Sequence, residues 1–171
     1  MKYSVLIILV FISIVIFLSC KKSNTSLPSN TIQATINGKT STFNFGVFAT
    51  RTGTPGPRTP YYVILLEGFT DSTVYSGSIN LGVQSIDSIT AATYNENSTM
   101  NNASITYINN KNLLGNIFSN GHPTSNPFII VVTSLNSKSI QGTFQGDIFY
   151  NGDSSQTLET VTNGKFNVDF N

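Results

Sequence analysis

The chain has 171 residues, 39% of them hydrophobic and only 10% charged, with nine Lys or Arg against eight Asp or Glu, one His, one Cys and no Trp. That near balance of charge argues against a nucleic-acid binder, whose affinity rests on many cationic contacts to phosphate. One histidine excludes a histidine-based metal cluster within a single chain, and one cysteine excludes an internal disulfide.

Met1-Lys2-Tyr3-Ser4 precedes an apolar run from Val5 to Leu18 broken only by Ser13, the basic start and hydrophobic middle of an export signal. A membrane-spanning helix needs roughly 20 apolar residues, whereas this run stops at Ser19-Cys20 with Lys21-Lys22 directly behind it. The only cysteine thus sits behind a small residue at the end of the apolar run, where a lipoprotein signal peptidase requires a diacylglyceryl-modified thiol. Phe17-Leu18-Ser19-Cys20 resembles a bacterial lipoprotein signal, with Phe17 and Leu18 standing where its commonest form has Leu and a small residue. The expectation is a precursor with a signal peptide over 1–19, cut before Cys20 and lipidated on that thiol. About 150 residues then remain, the size of one domain. Their acidic and basic side chains cancel, because Lys2 leaves with the signal.

Residues 20–30 follow as lipidated cysteine and flexible tether, rich in Ser, Thr and Asn, with Leu27 the one large apolar side chain. A single β domain is expected over 31–171. Ile32, Ala34 and Ile36 alternate, as do Phe43, Phe45 and Val47, and then Tyr75, Gly77, Ile79 and Leu81; period two marks strands with one buried face. Between them, Thr50–Pro60 is rich in proline and reads as a long exposed loop. Tyr61–Leu66 and Phe128–Val132 are unbroken apolar runs, expected as central strands buried on both faces. The Asn-rich region 95–112 surrounds one strand, Ala103–Ile108. Ile140, Gly142, Phe144, Gly146, Ile148 and Tyr150 continue the alternation with glycines on the same parity, which predicts a bent or closely packed strand.

Asn-Gly pairs at 37–38, 120–121, 151–152 and 163–164 supply the positive φ of tight turns. Two are expected to close hairpins: Ile32–Ile36 with Thr40–Val47, and Leu158–Thr162 with Lys165–Phe170. Together these elements predict an all-β fold, an antiparallel β-sandwich of roughly nine strands, with an up-and-down β-barrel as the alternative. Parity assigns Phe43, Phe45, Ile64, Leu66, Ile79, Leu81, Ile130, Val132, Phe144, Ile148, Phe166, Val168 and Phe170 to one core.

Catalytic chemistry is thinly represented. Asn37-Gly38-Lys39-Thr40-Ser41 ends like a phosphate-binding loop, but Gln33 stands where its first glycine belongs. His122, between Gly121 and Pro123, reads as a solvated turn residue, and no Gly-x-Ser-x-Gly elbow occurs. Glu67, Asp71 and Asp87 are the acids nearest the central strands; Glu67 reads as a rim residue facing water and Asp147 as solvated. Residues 151–155 read as a plain turn rather than a calcium loop. No catalytic residue, metal site or cofactor is expected. Arg51 and Arg58, with Tyr61 and Tyr62 beside them, form the candidate binding loop: guanidinium groups for carboxylates, tyrosine rings for stacking.

A lipid cysteine, a short polar tether and Ala34-Thr35-Ile36-Asn37-Gly38-Lys39 are followed by Ile89-Thr90-Ala91-Ala92-Thr93-Tyr94, Ile140-Gln141-Gly142-Thr143-Phe144-Gln145-Gly146 and Val161-Thr162-Asn163-Gly164-Lys165-Phe166. This arrangement resembles small Bacteroidota lipoproteins built on a domain of unknown function. The resemblance implies an envelope location and the same fold class, and carries no functional residue. In that lineage, surface-exported lipoproteins often carry acidic residues shortly after the cysteine. Lys21-Lys22-Ser23-Asn24 has none, which implies an outer-membrane anchor with the domain facing the periplasm. The expected role is a non-catalytic binding or accessory module, held to the membrane through Cys20 and meeting an envelope protein or glycan. A small hydrolase and a purely structural envelope protein are the alternatives.

Overall fold

The computed structural model describes residues 26–54, 61–72, 77–109, 116–120, 125–153 and 155–171; Cys20, Arg58, Tyr75, His122 and the side chain of Tyr61 lie outside that description. The described chain forms β1 (Thr31–Ile36), β2 (Lys39–Phe43), β3 (Phe45–Thr54), β4 (Tyr61–Phe69), β5 (Ser78–Ser85), β6 (Thr93–Asn95), β7 (Asn101–Asn109), β8 (Asn116–Ser119), β9 (Ile129–Leu135), β10 (Ser139–Tyr150) and β11 (Leu158–Asp169). One antiparallel sheet runs in the order β2-β1-β11-β10-β8-β7-β5-β4-β3. It curls until β3 reaches β11, where Ala49 and Phe170 form a parallel bridge and the Asn171 N–H donates to the Ala49 carbonyl at 3.4 Å. The all-β expectation therefore holds in its barrel form: a single sheet nearly closed on itself, rather than two stacked sheets.

One position in the wall is shared. β10 pairs with β9 along Ile140–Gln145 and with β8 at Phe149–Tyr150. Behind them, β6 pairs with β9 and β7 with β8. Where β8 stops, the Asn120 side chain continues its work: Oδ1 accepts from the Ile105 N–H at 2.7 Å and Nδ2 donates to the Ala103 carbonyl at 3.1 Å. A side-chain amide here satisfies two backbone groups that would otherwise lack a strand partner.

A barrel wall is one layer thick, so only its inner face is dry. This corrects the expectation of strands buried on both faces: Ile64 and Leu66 are fully buried, while Leu65 between them is 51% exposed. Of the expected core, Phe43, Ile64, Leu66, Ile79, Leu81, Ile130, Val132, Phe144, Ile148, Phe166 and Val168 are buried, and Phe170 is partly buried against them. Phe45 is the exception, at 48% exposure. The strand breaks at Asn44, Gly46 adopts φ 53°, and the β3–β4 register slips between Phe45 and Phe48. That irregularity turns Phe45 out locally, while Phe43 before it and Ala49 after it face inward.

Asn37-Gly38 closes the β1–β2 hairpin as expected, with φ of 47° and 76°. Asn163-Gly164 does not close a hairpin. It lies inside the continuous strand β11, where Asn163 adopts φ 52° and adds one residue relative to both neighbours, β10 and β1. Such a bulge bends the strand and increases its twist, which a closing sheet requires. Gly142 and Gly164 explain the glycine parity of β10 and β11. Gly142 lies opposite Phe166 and Gly164 opposite Phe144, with the two rings 6.4 Å apart. A Cβ on Gly164 would stand 2.6 Å from the Phe144 ring, and one on Gly142 would stand 2.5 Å from Phe166. Each ring thus lies over the glycine of the partner strand.

The chain before β1 is also held. Asn167 Nδ2 donates to the Leu27 carbonyl at 2.9 Å, Ser29 and Asn30 side chains donate to Asp169, and the Asp169 N–H donates to Asn30 Oδ1 at 2.9 Å. Attachment to the barrel therefore reaches back to Leu27, earlier than the expected start at residue 31.

Candidate functional site

Strand direction gives the barrel two distinct ends. At the near end the chain enters β1 and leaves β11; the β9–β10 turn, the end of β3 and the start of β4 lie there too. The far end holds the Asn37-Gly38 and Asn151-Gly152 turns, the end of β7 and the start of β11.

The near end holds what the structure describes of the expected binding loop. β3 extends to Thr54, paired with Tyr61, so Thr50–Thr54 is strand and not loop: backbone pairing with β4 overrides the composition. Arg51 lies opposite Ile64. Its guanidinium carbon stacks 4.4 Å from the centre of the Phe170 ring, and Nη2 donates to the Asn136 carbonyl at 3.2 Å. Arg51 thereby ties β3 to the β9–β10 turn and to the residue after β11, across the gap in the sheet. Tyr62 is half-buried and packs over Gly53, whose Cβ position lies 3.1 Å from the ring. The structure thus engages Arg51 and Tyr62 within the chain.

The far end contains a group that the sequence reading missed. Glu159 shares the strand parity of buried Val161 and lies opposite fully buried Ile148, and it lies near Tyr107. Burial raises the Glu159 carboxyl above its ordinary value of 4.5. Burial, and then the charge of Glu159, raises the Tyr107 phenol. Tyr107 belongs to a run of aromatic rings, 6.3 Å from Phe43 on one side and 6.3 Å from Phe118 on the other, with Tyr150 5.9 Å beyond Phe118. The visible signal was a carboxylate in the inward register of a strand whose other inward side chains, Val161, Phe166 and Val168, are apolar. Chemically the pair offers a hydrogen-bonding carboxyl held toward its neutral form beside a phenol.

The other acids are dispersed. Asp71 follows β4 at the far end and Asp87 follows β5 at the near end, while Glu67 lies half-buried on the outer side of β4, opposite Phe48 and Asn80. Asp147 corrects the expectation of a solvated side chain: it is 9% exposed and accepts from Asn126 Nδ2 at 2.8 Å and Thr160 Oγ1 at 3.1 Å. The segment before β9 covers it, its approach permitted by Gly146, where a Cβ would lie 2.7 Å from the Pro127 carbonyl. Asp153 Oδ1 accepts from the Ser155 N–H and hydroxyl, an ordinary turn arrangement. Among the described residues no three His, Cys, Asp or Glu side chains are grouped to hold a metal ion.

The outer face is polar. Thr40, Thr42, Ser104, Gln141, Thr143, Gln145 and Lys165 are exposed along it, whereas the interior is filled by aliphatic and aromatic side chains. A transmembrane barrel has the reverse distribution, apolar outside. No protein-family model matches the chain, and neither the curated proteins nor the solved structures give a match.

Proposed function

We propose that the mature protein is a lipid-anchored envelope domain that acts by non-covalent contact, as a binding or accessory module of the outer membrane facing the periplasm. The observation that carries this reading is the position of the sole cysteine, at the end of an export-type apolar run and a short polar stretch ahead of the barrel. The architecture is compatible with it: the polar outer face suits an aqueous compartment, and the filled interior leaves the outer wall and the two ends for contact. Two or three acyl chains on Cys20 would give a firm anchor, since a single chain holds only marginally.

Mass spectrometry of the mature N-terminus tests the anchor. The expected species begins at Cys20 and carries diacylglyceryl and acyl mass, and Cys20→Ser is expected to leave the membrane fraction. An unmodified chain starting elsewhere, or unchanged fractionation of Cys20→Ser, would refute it. Binding is tested by capture from envelope extract and on a glycan array, comparing wild type with Arg58→Ala and Tyr62→Ala, which leave the Arg51 contacts in place. Turnover of a substrate by the purified protein, abolished by His122→Ala, would replace the binding reading with a hydrolase.

A further inference from the structure

We infer that the near end of the barrel is turned toward the phospholipid headgroups and the far end, with the Asn37-Gly38 and Asn151-Gly152 turns, points away from the membrane. This rests on the proposed lipid anchor at Cys20.

The argument is one of chain length. Leu27 is fixed to β11 by Asn167, and Ser29 and Asn30 are fixed to Asp169, all within the last residues of that strand. From an acylated Cys20 in the headgroup layer to Leu27 there are seven residue steps, which reach at most ~25 Å when fully extended and about 15 Å as a coil. β11 spans Leu158–Asp169. From Asn167, which holds Leu27, to Leu158 there are nine residue steps, about 23 Å of height at the usual strand rise and barrel tilt, and the 151–157 connection lies beyond its start. To bring the far end to the lipid, the attachment at Leu27 would have to stand that height above the surface. Only a fully stretched tether approaches that distance. With the near end down the tether needs no stretching, and exposed Lys138 of the β9–β10 turn then faces the headgroups.

The chain's own cysteine content makes the test clean, because acylation of Cys20 leaves an introduced cysteine as the only free thiol. Ser137→Cys at the near end and Gln156→Cys at the far end, both exposed, are labelled with a fluorophore in the acylated full chain. The proteins are placed in phosphatidylethanolamine–phosphatidylglycerol vesicles carrying a headgroup-linked quencher. Quenching is expected to be several-fold stronger at position 137 than at position 156. A long Gly/Ser insertion between Lys22 and Ser26 is expected to reduce that ratio toward one while flotation with the vesicles persists. Equal quenching at both positions without the insertion, or stronger quenching at 156, overturns the orientation while leaving the anchor intact. Acylated protein that fails to float with vesicles overturns both, and circular dichroism of each labelled variant confirms that the barrel is folded.

Discussion

β11 meets two neighbours in opposite ways. Along β10 it pairs from Ser139–Asp169 to Phe149–Leu158, with rings seated over glycines and Phe144 and Phe166 buried between them. Toward β3 it makes one parallel bridge, after which closure depends on the Arg51 guanidinium and the C-terminal Asn171. The first contact is repetitive and apolar; the second is a few contacts made by Arg51 and Asn171. A sheet of this kind gains most of its stability away from its closing edge, so the seam is where the barrel should open first.

The largest effect is expected from breaking the strong side. Phe144→Ala removes a ring that is 2% exposed and should destabilise the fold by about 3–5 kcal/mol, as removal of buried aromatics does. Denaturant unfolding measures it, and a loss below about 1 kcal/mol would show that the ring is not a core element. Next is Asn120→Ala, which leaves the Ile105 N–H and Ala103 carbonyl without their partner and should cost about 1–3 kcal/mol. Hydrogen exchange should locate the change at Ile105.

Arg51→Ala loosens the weak side. The lost cation–π contact and hydrogen bond predict about 1–2 kcal/mol, with amide exchange rising along β3 and at Asn171 while β10 and β11 stay protected. Uniform acceleration across all strands would mean that the seam and the β10–β11 pair open together and that the seam is not the weaker side.

The smallest effect concerns pH. A carboxyl raised in the folded state contributes its full stability below the unfolded value, near 4.5, and loses it as pH rises through the folded value. Glu159→Gln should therefore flatten the fall in stability that begins near pH 4.5, and the variant should match or exceed wild type at neutral pH. Thermal unfolding across that range checks the sign; a variant less stable than wild type at pH 7 would indicate that the charged carboxylate is favourably paired.

What the sequence alone determined was local. Period-two alternation fixed the strand class and most inward residues, the glycine parity of β10 announced close packing, and Asn37-Gly38 specified its hairpin, because each depends on steric preferences within a few residues. The same rules failed at Phe45, which the irregularity around Asn44 and Gly46 turns outward, and at Asn163-Gly164, where positive φ serves a bulge as well as a turn. Closure of the sheet, burial of Asp147 and the tasks of Asn120 and Arg51 were decided only by the tertiary structure. Their partners lie far along the chain, at Thr160, Ala103, Asn136 and Phe170, and a polar side chain does not reveal which distant backbone group or ring it will satisfy until the strands between them have paired.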